Sequence, residues 1–241
     1  MKKFISENLK TLFYALLIAL IIRSFLFQPF YIPSSSMEPN LLIGDRLFVS
    51  KYSYGYSRHS LPFSPKIYNK RILSKEPERG DIIVFKNPVD NRDFIKRLIG
   101  LPGDVIQIIN SDLYINDEKV KREKIKNSII ISCGNKNIET NFYKETLPNG
   151  KEYIAVYLSE GSMKNTDKYT VPNNHYFFMG DNRDCSSDSR YLSNVGYVNF
   201  NNLVGKARLI FFSNDKQKGS FFKFWKWGES LRFARFFKRI K

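Results

Sequence analysis

The stretch Val105-Ile106-Gln107-Ile108-Ile109-Asn110-Ser111-Asp112-Leu113-Tyr114-Ile115-Asn116-Asp117 decides the fold class. Val105 to Ile109 and Leu113 to Ile115 are β-type runs. Asn110-Ser111-Asp112 separates them, and Asn116-Asp117 follows the second. Asn and Asp accept the left-handed backbone that tight hairpins demand, so the stretch predicts a meander of short antiparallel strands. Similar runs recur outward from it, at Leu47 to Val49, Ile82 to Phe85, Tyr153 to Leu158, Tyr176 to Met179 and Ala207 to Phe212. Helical periodicity is scarce between Pro33 and Ser213, which predicts a mainly β, antiparallel domain over residues 31–213. Residues 52–79 and 121–152 are polar with little period, apart from an apolar island at Ile129 to Ile131, and read as loops or insertions on the β body.

Upstream, Thr11 to Ile22 (TLFYALLIALII) is apolar except for Thr11, and the run resumes after Arg23 and Ser24. From Thr11 to Ile32 a helix would reach about 33 Å, enough to cross a bilayer core of roughly 30 Å. The reading is one transmembrane anchor over residues 11–30, with residues 1–10 forming a short N-terminus. Lys2, Lys3 and Lys10 precede the run, which predicts a cytoplasmic N-terminus and a β domain on the far side, although Arg46 and Lys51 near the outer end work against this. A cleavable signal peptide is the competing reading, since Ser34-Ser35-Ser36 is a small-x-small pattern. The length of the apolar stretch and the position of Pro33 favour a permanent anchor, with Arg23 snorkelling to the interface.

The chain of 241 residues carries 39 basic and 23 acidic residues, a formal charge of +16. Nine of the basic residues fall in the final stretch from Lys216 to Lys241, against the single Glu229. Phe233, Phe236, Phe237 and Ile240 there follow helical spacing with Arg232, Arg235, Lys238 and Arg239 opposite. With Trp225 and Trp227, the pattern predicts an amphipathic membrane-surface helix over the tail, residues 214–241. Packing of these aromatics on the β domain is the alternative. The charge therefore points to a phospholipid surface rather than to nucleic acid.

Two cysteines occur, Cys133 and Cys185, in no metal-ligand or multi-bridge spacing. They could pair in an oxidising compartment, but unpaired thiols are the preferred reading because Cys185 lies in a candidate site loop.

Three clusters could carry chemistry. Ser34-Ser35-Ser36-Met37-Glu38-Pro39 follows the membrane segment by a few residues, so a hydroxyl there sits at a fixed, small distance from the bilayer. A serine nucleophile needs a base, usually His and less often Lys. His59 lies in an irregular Tyr-rich segment and His175 opens an apolar run, which argues against a Ser-His-Asp triad. Lys96 lies between apolar neighbours on a strand edge, in Phe94-Ile95-Lys96-Arg97-Leu98-Ile99-Gly100. A lysine with its pKa lowered to about 8 by burial is roughly one-tenth neutral at pH 7, enough to serve as base. The third cluster is Gly180-Asp181-Asn182-Arg183-Asp184-Cys185-Ser186-Ser187-Asp188-Ser189-Arg190, where arginines interleave with aspartates and oppose a calcium ion. Ser213-Asn214-Asp215-Lys216 is an isolated Ser-x-x-Lys without companion motifs. Zinc-protease and P-loop patterns are absent, and neither a metal nor a cofactor is implied.

Taken in order, Ile32 to Pro39, Gly44 to Lys51, Ile95-Lys96-Arg97 with Gly100 to Asp104, and Gly180 to Arg190 resemble the boxes of bacterial type I signal peptidases. The resemblance spans Arg23 to Phe212 in outline and leaves the two loop regions and the tail uncovered. Asn40 stands where many members have Thr, and Ser35 where glycine is common. The resemblance implies an inner-membrane serine endopeptidase, its catalytic domain on the periplasmic side, that removes signal peptides from exported preproteins after Ala-x-Ala-like motifs. It further implies Ser36 as nucleophile, Lys96 as general base, and the Ser36 N–H with the Ser34 hydroxyl as oxyanion donors. Ser186 would orient the Lys96 amine, Asp188 and Arg190 would form a supporting salt bridge, and Asp181 and Asn182 would shape the loop.

Two rivals remain at this level. Self-cleaving repressors share a Ser-Lys dyad but carry a DNA-binding helix-turn-helix where this chain has an apolar span. A membrane-tethered, non-enzymatic β domain with a lipid-binding tail is the second.

Overall fold

The computed structural model describes the chain except for residues 1, 63, 66–69, 135, 159–162, 216, 217, 220–224, 226 and 241, and the side chains of 2–6, 126–129, 132 and 137. Helix α1 (Lys2–Ile21) runs into a π-helical turn, Ile22–Leu26, and the backbone becomes extended at Phe27. By length and composition, Glu7–Leu26 is able to cross a membrane. From Glu7 to Arg23 every residue is exposed, so the span has no protein surface to cover it. The apolar segment thus ends at Leu26 rather than at residue 30. Phe27 to Tyr31 alternate in burial and pair with a neighbouring strand, a period-2 pattern too short to separate from the apolar run before it.

Among the described residues fifteen strands follow: β1 (Phe27–Tyr31), β2 (Asp45–Ser50), β3 (Ile82–Lys86), β4 (Asp93–Gly100), β5 (Val105–Ile109), β6 (Asp112–Ile115), β7 (Glu118–Lys119), β8 (Lys121–Cys133), β9 (Lys136–Thr146), β10 (Glu152–Leu158), β11 (Tyr169–Thr170), β12 (His175–Met179), β13 (Val198–Asn199), β14 (Leu203–Ser213) and β15 (Lys238–Arg239). The largest sheet has the order β1-β2-β14-β3-β4-β12-β13, with β15 added beside β14, and its named pairs are antiparallel. A second sheet runs β11-β5-β6-β7 and a third β10-β9-β8.

The meander forms through two-residue turns. Asn110 and Ser111 both have positive φ, as do Asn116 and Asp117, and the flanking pairs are Ile109 with Asp112 and Ile115 with Glu118. That geometry matches the right-handed twist of the strands it joins. Ile106, Ile108, Leu113 and Ile115 point inward with Phe177 and Met179 to build one core cluster. Ile32, Met37, Leu47, Val49 and Ile210 build another beneath the main sheet.

Three expectations are corrected. Residues 121–146 are not a loop: β8 and β9 make a long hairpin that continues into β10. Much of the hairpin is solvated, so neither face demands an apolar period, and backbone pairing holds what the side-chain pattern conceals. The tail is not a continuous amphipathic helix. Among its described residues only Trp227–Ser230 is α-helical, Phe233–Arg235 is a 3₁₀ turn, Phe237 has positive φ, and Lys238 and Arg239 pair with Ile210 and Leu209. Its aromatic and basic residues have better partners on the β domain: Phe236 packs on Phe212, Ile240 on the core beneath the main sheet, and Arg235 reaches the fully buried Asp45 at 2.5 Å. Lys216, Lys223, Lys226 and Lys241 lie outside the described residues, and the Ser213-x-x-Lys216 pattern with them. Finally, Cys133 and Cys185 form a disulfide with Cα atoms 5.6 Å apart, joining the tip of the β8–β9 hairpin to the loop after β12. The bridge restrains that loop rather than being excluded by it.

Candidate active site

Ser36 sits in a 3₁₀ turn, Ser35–Met37, immediately after β1. Met37 is fully buried and anchors the turn in the core beneath the main sheet, while the backbone N–H of Ile32 donates to Asp45 O at 2.9 Å and closes the entry to β2. Ser36 itself is buried. The sequence alone places this hydroxyl near the membrane, and only four residues separate it from Tyr31, the end of the strand that follows the apolar helix.

Lys96 lies on β4, paired with Ile83 of β3. The strand is internal rather than an edge, because β12 covers its other side as far as the pair Met179 with Arg97. The chain leaves β12 at Gly180, directly beside Lys96, and turns into the Gly180 to Arg190 loop. Gly180 is needed there: a Cβ would run into the Ser186 side chain and the Ser36 carbonyl. The loop can therefore lie against the serine turn only with glycine at its start.

These elements bring Lys96 Nζ to 2.7 Å from Ser36 Oγ. The amine also donates to its neighbour's carbonyl, Ile95 O, at 3.0 Å, and lies 5.3 Å from the centre of the Phe94 ring. Ser34 Oγ stands 3.3 Å from Ser36 Oγ. Burial drives the Lys96 pKa down from 10.5 to about 8, with Arg190 adding to the fall and Asp188 and Asp181 opposing it. Two carboxylates nearby thus temper the desolvation without cancelling it.

The loop is held by buried ion pairs. Asp188 receives Arg190 Nε and Nη2, each at 2.8 Å, and the Gly180 N–H at 2.9 Å. Burial alone would raise the Asp188 carboxyl, but Arg190 and the backbone donor hold it below the ordinary carboxylate range. Asp181 takes Arg97 on two prongs, at 2.7 and 2.8 Å, and Asn40 Nδ2 at 2.7 Å. Asn182 reaches the serine turn twice, its backbone N–H donating to Ser36 O at 3.1 Å and its Nδ2 to Ser35 O at 3.2 Å. Ser186 does not meet its expected partner. Its buried hydroxyl makes no hydrogen bond to Lys96, because the amine already faces Ser36 Oγ and Ile95 O.

Neither histidine takes part. His175 Nδ1 is 2.9 Å from Asn173 O, and His59 is buried beside Arg58, with which it shares a hydrogen bond of 3.2 Å.

A family model described as signal peptidase, peptidase S26, matches residues 5–212. The chain belongs to this family. Curated relatives include a signal peptidase I of Rickettsia typhi, 41% identical over 99% of this chain and 95% of its own length. A signal peptidase I of Rickettsia bellii is 42% identical over 98% of this chain and 86% of its own. A solved signal peptidase I from Enterococcus faecalis is 29% identical and covers 55% of this chain and 97% of its own, with a TM-score of 0.33. As a member of the signal peptidase family, the chain is a serine peptidase, a hydrolase, and its apolar N-terminal helix fits a membrane-anchored enzyme.

Sequence reasoning missed one part of this signal peptidase's site. Arg183, read only as a loop arginine, is buried and paired with Glu145 of β9 at 2.6 and 3.0 Å, while Tyr153 and Tyr157 of β10 donate to the same carboxylate. Arg183 Nε also donates to Gly180 O at 3.2 Å, so the β9–β10 hairpin braces the start of the loop. A lone Glu in a polar stretch gives no sign of this. The Asn40 departure has a use as well, since Nδ2 bridges Asp181 and Ile154 O.

Proposed function

We propose that this chain cleaves signal peptides from exported preproteins by an acyl-enzyme route, with Ser36 as nucleophile and Lys96 as general base. The observation that carries the reading is the 2.7 Å separation of Lys96 Nζ and Ser36 Oγ, both buried. In its charged form the amine donates to the serine oxygen. After losing a proton it presents a lone pair along the same line and accepts the Ser36 proton as Oγ attacks the scissile carbonyl carbon. A pKa of about 8 leaves roughly a tenth of the enzyme in that form at pH 7.

The tetrahedral oxyanion is stabilised by the Ser36 N–H and the Ser34 hydroxyl, which already lies 3.3 Å from the nucleophile. Loss of one such donor costs about 3 kcal/mol of transition-state stabilisation. The Lys96 ammonium returns its proton to the departing amine, and the acyl group stays on Ser36. Lys96 then removes a proton from water, which attacks the ester and frees the enzyme. Asp188, Arg190, Asp181 and Asn182 position the dyad rather than react. An extended substrate with small residues at alternate positions pairs as an added strand, its small side chains filling shallow pockets. The positive residues before the apolar helix favour a cytoplasmic N-terminus, with the peptidase domain on the periplasmic face of the inner membrane.

The test is cleavage of a preprotein with an Ala-x-Ala site by the detergent-solubilised chain. Ser36→Ala and Lys96→Ala, each checked for folding, are expected to be inert, and a metal chelator to have no effect. Activity surviving in either folded variant would refute the dyad.

A further inference from the structure

A cleft of about 250 Å³ lies apart from the Ser36 centre, between the outer end of the apolar helix and the turn end of the β3–β4 hairpin. Its wall includes Arg23, Lys51, Lys86, His59 and Asp93. Three cations therefore face one carboxylate, and Asp93 is engaged by Lys86 at 2.9 Å.

Lys51 is the unusual member. It is 2% exposed, and its amine donates to Ser60 O at 2.6 Å and to His59 O at 3.3 Å. Burial and then Arg23 lower its pKa to about 8 against the opposing pull of Asp93, which Lys86 already engages, so it is mostly charged at pH 7. Two neutral carbonyls do not neutralise a buried ammonium, and a nearby anion would.

His59 adds a second, independent observation. It is 4% exposed, and its Nδ1 has no hydrogen-bond partner. Arg58 Nε donates to the other ring nitrogen, Nε2, at 3.2 Å. Burial, together with Arg58 and other cations, lowers the ring to about 4, so at neutral pH it carries one proton. Because Nε2 accepts, that proton sits on Nδ1, a buried N–H without an acceptor on a residue that lines the cleft. A buried donor left unmade is costly, and it is unusual without a ligand to complete it.

The position of the cleft selects the kind of anion. Arg23 belongs to the last turns of the Glu7–Leu26 span, and the Lys51 backbone N–H donates to Leu26 O at 3.0 Å. The base of the cleft is thus tied to the point where the apolar helix ends, with exposed Phe25, Phe27 and Tyr52 beside it. Phosphate groups of lipids lie at that depth.

We propose that this cleft binds the phosphate of an anionic lipid headgroup, with Arg23, Lys51 and Lys86 as its cationic wall and the unsatisfied His59 ring behind it. Such a contact would fix the rotation and height of the β domain on the bilayer, which a single helix and a π-helical turn leave to the linker.

The test is calorimetric titration of the full chain, in uncharged-detergent micelles, with dihexanoyl phosphatidylglycerol and separately with inorganic phosphate. Saturable lipid binding is expected, at least about tenfold tighter than inorganic phosphate. Arg23→Gln and Lys86→Gln should each weaken it about tenfold, the value of one charge-assisted hydrogen bond. Lys51→Met should abolish it; if that variant does not fold, the other two decide. Equal or tighter binding of inorganic phosphate would overturn the lipid source. Absence of saturable binding, or unchanged affinity in Arg23→Gln and Lys86→Gln, would overturn the site. The readout is binding, so the result is independent of whether Ser36 and Lys96 form the dyad.

Discussion

Arg97 grips Asp181 through Nε and Nη2 at 2.7 and 2.8 Å, one residue along the strand from Lys96. Successive strand side chains point to opposite faces, so Arg97 ties one side of β4 to the loop while Lys96 meets Ser36 on the other. Asp181 also receives Asn40, four residues after Ser36. One carboxylate therefore joins the strand that bears the amine to the segment that bears the hydroxyl.

Asp181→Ala is accordingly expected to cost about 3–5 kcal/mol, because it removes the carboxylate that takes both prongs of the buried Arg97 guanidinium. Chemical denaturation in detergent measures this. A loss below about 1 kcal/mol would show that the pair does not hold the loop.

The disulfide gives a second expectation. Cys133 and Cys185 are 52 residues apart, and closing a loop of that length stabilises by up to about 4 kcal/mol through the unfolded state. Reduction, or Cys185→Ser, should lower the melting temperature and also slow cleavage, since Cys185 sits between Arg183 and Asp188. Cleavage and melting both unchanged after verified reduction would contradict this.

A third concerns the cost of the buried amine. Holding the Lys96 pKa at about 8 rather than 10.5 corresponds to roughly 3 kcal/mol of lost stability. The sign follows from proton uptake: the unfolded chain binds the proton more tightly, so the full cost applies below pH 8 and is relieved as pH rises toward 10.5. Lys96→Met should therefore melt higher than the parent at pH 7, with the advantage shrinking steadily from about pH 8 toward pH 10.5, while losing activity. Thermal unfolding across pH 7 to 10 checks it; a variant less stable at pH 7 would contradict the assignment.

The β domain was legible wherever burial imposed a period or a turn imposed a residue type. Asn110, Ser111, Asn116 and Asp117 mark their hairpins because a positive φ at both turn positions favours such residues. Ser36, Lys96 and the loop from Gly180 were legible as separate clusters, and their order along the chain carried the family resemblance. Hidden features rest on partners far away in sequence. Glu145 gains its meaning from Arg183 and the two tyrosines, and a solvated hairpin such as β8–β9 shows no apolar face. The tail misled because Phe233, Phe236, Phe237 and Ile240 keep helical spacing, while the buried Asp45 draws Arg235 and the β14 edge draws Lys238 and Arg239. A buried carboxylate in need of a cation outweighs a local amphipathic pattern.

The central claim is that a neutral, buried Lys96 activates Ser36, and the pH dependence of kcat/KM for preprotein cleavage tests it most directly. This parameter reports ionisations of the free enzyme and substrate. With a substrate that does not titrate in the range, the rate is predicted to rise tenfold per pH unit from pH 6 and level off above an apparent pKa of about 8. A rise that continues past pH 10, or a profile flat from pH 6 to 9, would contradict Lys96 as the base.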